Sequence, residues 1–309
     1  MTDRKEHPMS VPEKIRLNAL MGTYPKTHAL KSGALQIDGV ELNFAPIDEA
    51  MKGFKGAVRE LKYDVCELAL STFLQARSVG KPFLLLPFVM NGKFHHGSLL
   101  RRADNPFPAS DLNGRKVAMR SYSQTTPTWV RGFLMDDFGV QVDQVKWLVK
   151  DDGHVAECKD PSWVSRMEGD KDLVQALVDG DVDAILFSAK PKDDDRVVTV
   201  LDDPKAAAQA WAAKNHAVPI NHMVAIRREL ADSRPDIVRA LYQALIDSRR
   251  AAEGEPTPGA RVLEPHGFAA VQPAVEIGIR YAVEQGLIPK AFTTDELYGS
   301  VRAALADIE

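Results

Sequence analysis

Strand-like and helix-like segments alternate along the first 190 residues of the chain. Residues 15–21 and 39–44 alternate apolar and polar side chains, a pattern typical of strands. Apolar residues at helical spacing over 48–62 predict an amphipathic helix, and residues 64–70 form a mostly apolar strand pattern. Because the connections are short, we expect an α/β fold with central sheets that helices cover on both faces.

A unit of helix, turn, aspartate and apolar strand occurs twice in this region. The first copy includes residues 61–68. The second follows a helix that ends at Gly180 and enters a strand over 181–187, and this copy starts near residue 111. The repetition predicts two lobes that are built alike.

The rest of the chain has helical patterns. We expect helices after Pro235, over 275–284 and from Thr294, where a capping pattern is present. Residues 253–265 are rich in glycine and proline and predict a loop.

Composition and charge exclude several classes of protein. The 309 residues are enough for about two domains. A net charge of −4 offers no basic surface for nucleic acid, and no apolar run approaches the ~20 residues of a membrane helix. The first 17 residues are rich in charge and lack an apolar stretch of signal-peptide length, so we expect a cytoplasmic protein. Cys66 and Cys158 form neither a disulfide framework nor a metal motif.

Motifs for nucleotide cofactors and for common hydrolases are absent from the sequence. It contains no G-x-G-x-x-G fingerprint, no G-x-x-x-x-G-K-[ST] phosphate loop and no G-x-S-x-G nucleophile elbow. The sequence therefore gives no reason to expect a cofactor.

A Ser/Thr-rich turn over 121–128 is the clearest candidate anion site. Thr125 or Thr126 can cap the following helix, with Pro127 in its first turn, and the free backbone N–H groups would then suit a carboxylate. Arg131 lies one helical turn further along. An ordinary capped helix with an exposed arginine is the alternative.

Histidines and one buried carboxylate are the candidates for proton transfer. His95 and His96 precede one expected crossing between the lobes, and His222 precedes the other. Glu67 lies within an apolar strand, where an unpaired carboxylate is costly, so it serves either a structural or a catalytic role. His28 follows the first strand, and His154 lies in a polar, irregular segment where we expect a solvent-exposed side chain. A metal site formed by His96, His222 and Glu67 is a minority alternative.

Several short motifs, spread in order over nearly the whole chain, together resemble one known family. They are DVCELALS (64–71), FHHGS (94–98), YSQTT (122–126), WVRG (129–132), PINH (219–222) and RYAVEQGLI (280–288), together with the DLxGRKVA stretch that begins at Asp111. With them the chain resembles the 4,5-dihydroxyphthalate decarboxylase family, a cytoplasmic branch of the type II periplasmic-binding-protein fold.

The resemblance implies a two-lobed α/β fold with two mixed sheets, flanking helices and a central cleft. Lobe one would comprise residues 1–102 and 215–309, and lobe two, residues 103–214, would be inserted between them. The ligand would bind between the lobes, at loops that follow the strands.

The resemblance also implies cofactor-independent decarboxylation of a hydroxylated aromatic acid, 4,5-dihydroxyphthalate or a close relative. His96, His222 and Glu67 are the expected catalytic residues. The expected substrate-binding residues are Thr23, Tyr24, His28, Ser71, His95, Gln124, Thr125, Thr126, Arg131, Ser188 and Lys190. The expected partner is a small aromatic carboxylic acid, and no binding to nucleic acid or membrane is expected. The chain could also form a homo-oligomer.

Two other functions fit the same fold. One is a ligand-binding protein without catalysis, because this fold is chiefly a binding fold. The other is an enzyme that acts on a different small acid.

Overall fold

A computed structural model describes residues 14–187, 190–191 and 194–308 of the chain. The strands in this part are β1 (Ile15–Leu20), β2 (Val40–Phe44), β3 (Val65–Ala69), β4 (Phe83–Gly92), β5 (Leu99–Arg102), β6 (Lys116–Met119), β7 (Lys146–Val149), β8 (Val164–Arg166), β9 (Ala184–Leu186), β10 (Val197–Thr199) and β11 (Ile220–Arg227). The α-helices are α1 (Pro25–Lys31), α2 (Phe54–Glu60), α3 (Leu70–Ser78), α4 (Thr125–Phe138), α5 (Leu173–Val178), α6 (Pro204–Asn215), α7 (Arg228–Ser233), α8 (Pro235–Glu253), α9 (Phe268–Glu284), α10 (Thr294–Tyr298) and α11 (Ser300–Leu305).

The strands form two mixed sheets, as predicted. The first has the order β2-β1-β3-β11-β4, with β1 parallel to both of its neighbours and β11 antiparallel to both of its own. The second has the order β10-β5-β9-β6-β7-β8, with β5 antiparallel to its neighbours. The chain therefore leaves the first sheet after β4, builds the whole second sheet, and returns to the first with β11.

The internal repeat is visible in matching hydrogen bonds of the two sheets. Asp64, just before β3, accepts a hydrogen bond from the backbone of Asn18 in β1. Asp183, just before β9, accepts one in the same way from Lys116 in β6. In each sheet, an aspartate directly before a buried strand (β3 or β9) is thus hydrogen-bonded to the neighbouring parallel strand (β1 or β6).

Two helix predictions differ from the structure. The segment 48–62 is not one helix but a 3₁₀ turn, Ala50–Gly53, followed by α2. Gly53 lies so close to Leu20 that a Cβ would come within 2.5 Å of its side chain, and this contact coincides with the break. Helix α9 begins earlier than residue 275 and contains Pro273 in its second turn.

Helices α3, α4 and α9 pack against one another. Their apolar side chains belong to one core that also includes residues of both sheets. Asp136 of α4 is paired with Arg280 of α9 and accepts a hydrogen bond of 2.6 Å from the Tyr281 hydroxyl. Helix α9 therefore joins α4, which lies between strands of the second sheet in the chain, to elements of the first sheet. No helix in the described part is long and apolar enough to cross a membrane.

Candidate functional site

Glu67 is a fully buried carboxylate at the centre of the first sheet, in β3, where every residue is buried. Its Oε2 accepts a hydrogen bond of 2.9 Å from the Gly22 backbone. Its Oε1 accepts one of 2.9 Å from the Tyr24 hydroxyl and lies 2.7 Å from Nδ1 of His222. Burial raises the pKa of Glu67, but the hydrogen bond and charge of His222, with the Gly22 and Tyr24 donors, outweigh it and hold the pKa below its ordinary value. Glu67 is therefore an ionised carboxylate with three donors.

His222 is oriented by this carboxylate. Because ionised Glu67 only accepts hydrogen bonds, the proton of a neutral His222 ring belongs on Nδ1 and leaves Nε2 as an acceptor. Among the described residues Nε2 has no hydrogen-bond partner, and the side chain is 14% exposed. In its neutral form, His222 thus presents an unpartnered Nε2 beside a buried anion.

Tyr24 follows β1 and starts helix α1. Its ring packs on Gly22, where an added Cβ would lie 2.4 Å from the ring's Cζ. Burial and the charge of Glu67 raise the pKa of the Tyr24 phenol. Tyr24 is therefore a protonated donor over the working pH range.

His154 was predicted to be a solvent-exposed side chain, and this prediction is wrong. Its Nδ1 lies 2.8 Å from the Thr72 hydroxyl, and its ring meets the edge of Phe54, which also contacts the His222 ring. Burial and nearby cations lower the pKa of His154 to about 4, so its ring is neutral. No local pattern predicts this position, because His154 lies in an irregular polar segment.

The N-termini of α3, which directly follows β3, and α4 meet each other. The hydroxyls of Ser71 and Thr125 lie 2.8 Å apart, and Ser71 donates to the Ser123 carbonyl at 2.7 Å. The predicted threonine cap is wrong: α4 is capped at Gln124 without a side-chain bond, because the Thr125 hydroxyl is turned towards Ser71. Gln124 and Thr126 are half-buried.

Arg131 is buried rather than exposed. It donates to the Gln285 side chain at 2.8 Å and to the Tyr122 carbonyl at 2.7 Å, and it stacks 3.7 Å above the Tyr122 ring. These contacts join α4 to the end of α9 and occupy the guanidinium. Arg131 therefore stabilises the packing between the two halves of the chain.

His95 and His96 do not lie in a strand. His95 precedes a 3₁₀ turn, His96–Ser98, and both rings are buried, with no hydrogen-bond partner for any ring nitrogen within 14–187, 190–191 and 194–308. Burial lowers the pKa of His95 to about 3 and that of His96 to about 4. His96 stacks on Phe133 at 4.0 Å, and no contact joins it to Glu67 or His222.

The structure thus joins Glu67, His222 and Tyr24 in one hydrogen-bonded network and pairs Ser71 with Thr125 in a second group, and it leaves other predicted residues apart. Thr23, His28 and Lys190 are exposed, and Ser188 lies outside the described residues. Thr23 bonds instead to Asp48 and Lys31. In the described ranges no group of three or more His, Cys, Asp or Glu side chains could hold a metal ion, and His96 stands away from the other two residues of the metal alternative.

The fold matches those of solved proteins. The aliphatic sulphonate binding protein SsuA of Escherichia coli is 14% identical with a TM-score of 0.55, covering 93% of this chain and 97% of that one. A mutant of the desulfurization enzyme DszB in complex with biphenyl-2-sulfinic acid is 15% identical with a TM-score of 0.56, covering 94% and 99%. These likenesses establish the two-lobed α/β fold of the periplasmic binding proteins.

Sequence similarity gives the family, although no family model matches the chain. A protein of Comamonas testosteroni named 4,5-dihydroxyphthalate decarboxylase is 30% identical over 253 residues, 77% of this chain and 76% of that protein. A protein of the same name from Pseudomonas putida is 28% identical over 214 residues, 65% and 83%. The chain belongs to the 4,5-dihydroxyphthalate decarboxylase family, and the predicted class of carboxy-lyase is confirmed.

Proposed function

We propose that this protein decarboxylates a hydroxylated aromatic acid, 4,5-dihydroxyphthalate or a close relative, without a cofactor, in a cleft between the two lobes. The observation that carries the proposal is the buried Glu67 carboxylate, 2.7 Å from His222 Nδ1, with Tyr24 as a second donor. Family membership supports the reaction class, and the names of the two relatives support the substrate.

The chemistry needs a group that can take and return a proton. A base removes the proton of the ring hydroxyl para to the departing carboxylate. Electron density then moves onto the ring carbon that bears this carboxylate. That carbon is protonated, its bond to the carboxylate breaks, and the electron pair of that bond returns to the ring as carbon dioxide leaves. The resulting phenolate takes a proton from solvent, so the net change is consumption of one proton and release of one carbon dioxide.

His222 is the group best suited to this transfer. Its Nε2 accepts the proton of the substrate hydroxyl and returns it to the ring carbon of the substrate. Between these two steps the His222 imidazole is positively charged, and ionised Glu67 stabilises it. The hydrogen bond from the Tyr24 hydroxyl holds the Glu67 carboxylate in place. His96, which the sequence suggested as a partner of His222, has no part in this proposal because it has no contact with the pair.

The carboxylate that stays on the substrate ring needs a binding site on the protein. The N-termini of α3 and α4 carry positive partial charge, and the Ser71 and Thr125 hydroxyls lie between them. In the proposed complex, these hydroxyls exchange their mutual hydrogen bond for bonds to a substrate oxygen.

The test is to incubate the purified protein with 4,5-dihydroxyphthalate and to measure carbon dioxide release and the ultraviolet change to a monocarboxylate. We expect turnover by the wild type, with and without chelator, and a loss of about 10²-fold or more in kcat for His222→Gln. His216→Asn is the matched control. His216 is an exposed histidine with positive φ, a conformation that asparagine tolerates, and this variant should keep wild-type kcat.

Three results would contradict the proposal in different ways. Equal turnover in His222→Gln and wild type would remove His222 from the chemistry. Loss of turnover with chelator would require a metal. A rise in melting temperature with the acid, but no carbon dioxide, would favour the ligand-binding function, for which similarity to SsuA is the supporting observation.

A further inference from the structure

A cavity of about 700 Å³ lies at the connection between the two sheets, apart from the Glu67 network. Its wall includes Phe94, His96 and Gly97 of the connection, Lys205 and Ala208 of α6, and Arg261 of the loop after α8. The volume is within the range of small-molecule sites. No hydrogen bond, ion pair or ring contact in the described part joins these residues to Glu67 or His222.

The inner wall of this cavity is aromatic. Phe94 and His96 are neighbours at 6.3 Å between ring centroids, and the His96 ring is held between Phe133 and Trp211. The Phe94 and His96 planes are inclined by 54°, and together they give the cavity an aromatic wall against which another ring can pack.

The two ring nitrogens of His96 are also unsatisfied hydrogen-bonding groups. Only 2% of the residue is exposed, and neither ring nitrogen has a partner among the described residues. Buried polar groups are nearly always bonded, so a small shift of the cavity wall that exposed these nitrogens would let a ligand group or water bond to them. A neutral imidazole supplies one donor and one acceptor.

The outer wall carries positive charge. Lys205 and Arg261 are exposed at the mouth, and no acidic residue of the described part lines the cavity. Asp203, next to the mouth, already accepts hydrogen bonds from the first N–H groups of α6. Arg261 stands 5.8 Å from the Phe94 ring, so cation and ring form one continuous surface.

From these observations we propose that the cavity is a second binding site that takes a small aromatic carboxylate, with its ring on Phe94 and His96 and its carboxylate at Lys205 and Arg261. Such a ligand would touch the connection, α6 and the C-terminal loop at once. Binding would therefore bridge segments from both halves of the chain.

The probe is phthalate, an aromatic dicarboxylate without the ring hydroxyl that the proposed decarboxylation requires. Calorimetry should show binding to the wild type. Lys205→Ala combined with Arg261→Ala should raise the Kd by about ten-fold or more, because two charge-assisted contacts are lost. His96→Phe keeps a ring against Phe133 but removes both nitrogens, and it should weaken binding about five-fold.

Two further variants separate this site from the Glu67 network. Lys214→Ala removes another exposed cation of α6, one paired with Asp137, and should leave the Kd within about two-fold. His222→Gln should also leave unchanged the phthalate binding that depends on Lys205 and Arg261, while it lowers carbon dioxide release from 4,5-dihydroxyphthalate about 10²-fold or more.

Wild-type affinity in the double variant would overturn the inference, as would absence of wild-type binding at about 10 mM phthalate. Loss of phthalate binding in His222→Gln alone would place the ligand at the Glu67 network and would overturn it too. None of these readouts depends on catalysis, so failure of the proposed function would be seen separately.

Discussion

Glu67 and His222 are diagonal neighbours on one face of the first sheet. In the register of β3 and β11, Glu67 lies opposite Val224 and His222 lies opposite Ala69, which brings Oε1 within 2.7 Å of Nδ1. The strand register therefore places the His222 side chain beside Glu67, and the contact with Glu67 orients its ring.

Replacement of Glu67 by glutamine should lower kcat by about 10²-fold. The amide keeps the shape of the side chain but removes the charge that fixes the His222 tautomer and stabilises its protonated ring. Steady-state kinetics with 4,5-dihydroxyphthalate measure the effect. Glu60→Gln, at an exposed carboxylate paired with Lys62, is the control and should retain kcat. Wild-type kcat in the Glu67 variant would refute the assigned role.

Stability should depend on Glu67 in acid. Its pKa is lower in the folded protein than in the unfolded chain, so folding gains from its ionised form above the unfolded pKa, and the gain disappears as the pH falls through the folded pKa. The free energy of unfolding should therefore fall more steeply below about pH 4.5 in the wild type than in Glu67→Gln. Urea unfolding from pH 3 to 7 tests this, and parallel profiles would contradict it.

Gly22→Ala should displace Tyr24. The added Cβ would lie 2.4 Å from Cζ of the tyrosine ring, so the ring must move away from Glu67. We expect a loss of about 1–3 kcal/mol in stability and a clear fall in kcat. Gly56→Ala is the matched control: it is a helical glycine whose near neighbour is the flexible Lys62 side chain, and it should be neutral or slightly stabilising. Equal behaviour of the two variants would argue against the close packing at Gly22.

Arg131→Met should lower stability and leave KM unchanged in the protein that remains folded. The change leaves the Gln285 and Tyr122 oxygens without their donor, at a cost of roughly 3 kcal/mol. Thermal unfolding and KM are measured together, with Arg166→Met at an exposed pair with Asp152 as the control. A raised KM with an unchanged melting temperature would restore the ligand-binding role that the sequence suggested.

The architecture was predictable because it depends on local patterns. The apolar strand after Asp64, the glycine end of the helix before β9 and the proline start of α8 are each encoded within a few residues. The break at Gly53 was not, because its cause is Leu20, which lies 33 positions earlier and touches it only after folding.

The site was predictable only in part for the same reason. A carboxylate inside an apolar strand marked Glu67 as unusual, but its partners come from positions 45 residues before and 155 residues after it. The side chains of Ser71 and Thr125, 54 residues apart, likewise satisfy each other, and the local helix-capping pattern at Thr125 gave no hint of that.

The position of β11 between β3 and β4 has a consequence for how the protein is made. When synthesis has passed Thr199, every strand of the second sheet exists, yet the first sheet still lacks the strand that joins β3 to β4. A nascent or truncated chain at that stage exposes two unpaired strand edges, a known route to aggregation, and holds a Glu67 without His222. The sheet begun first on the ribosome is the one completed last, and the site is assembled with it.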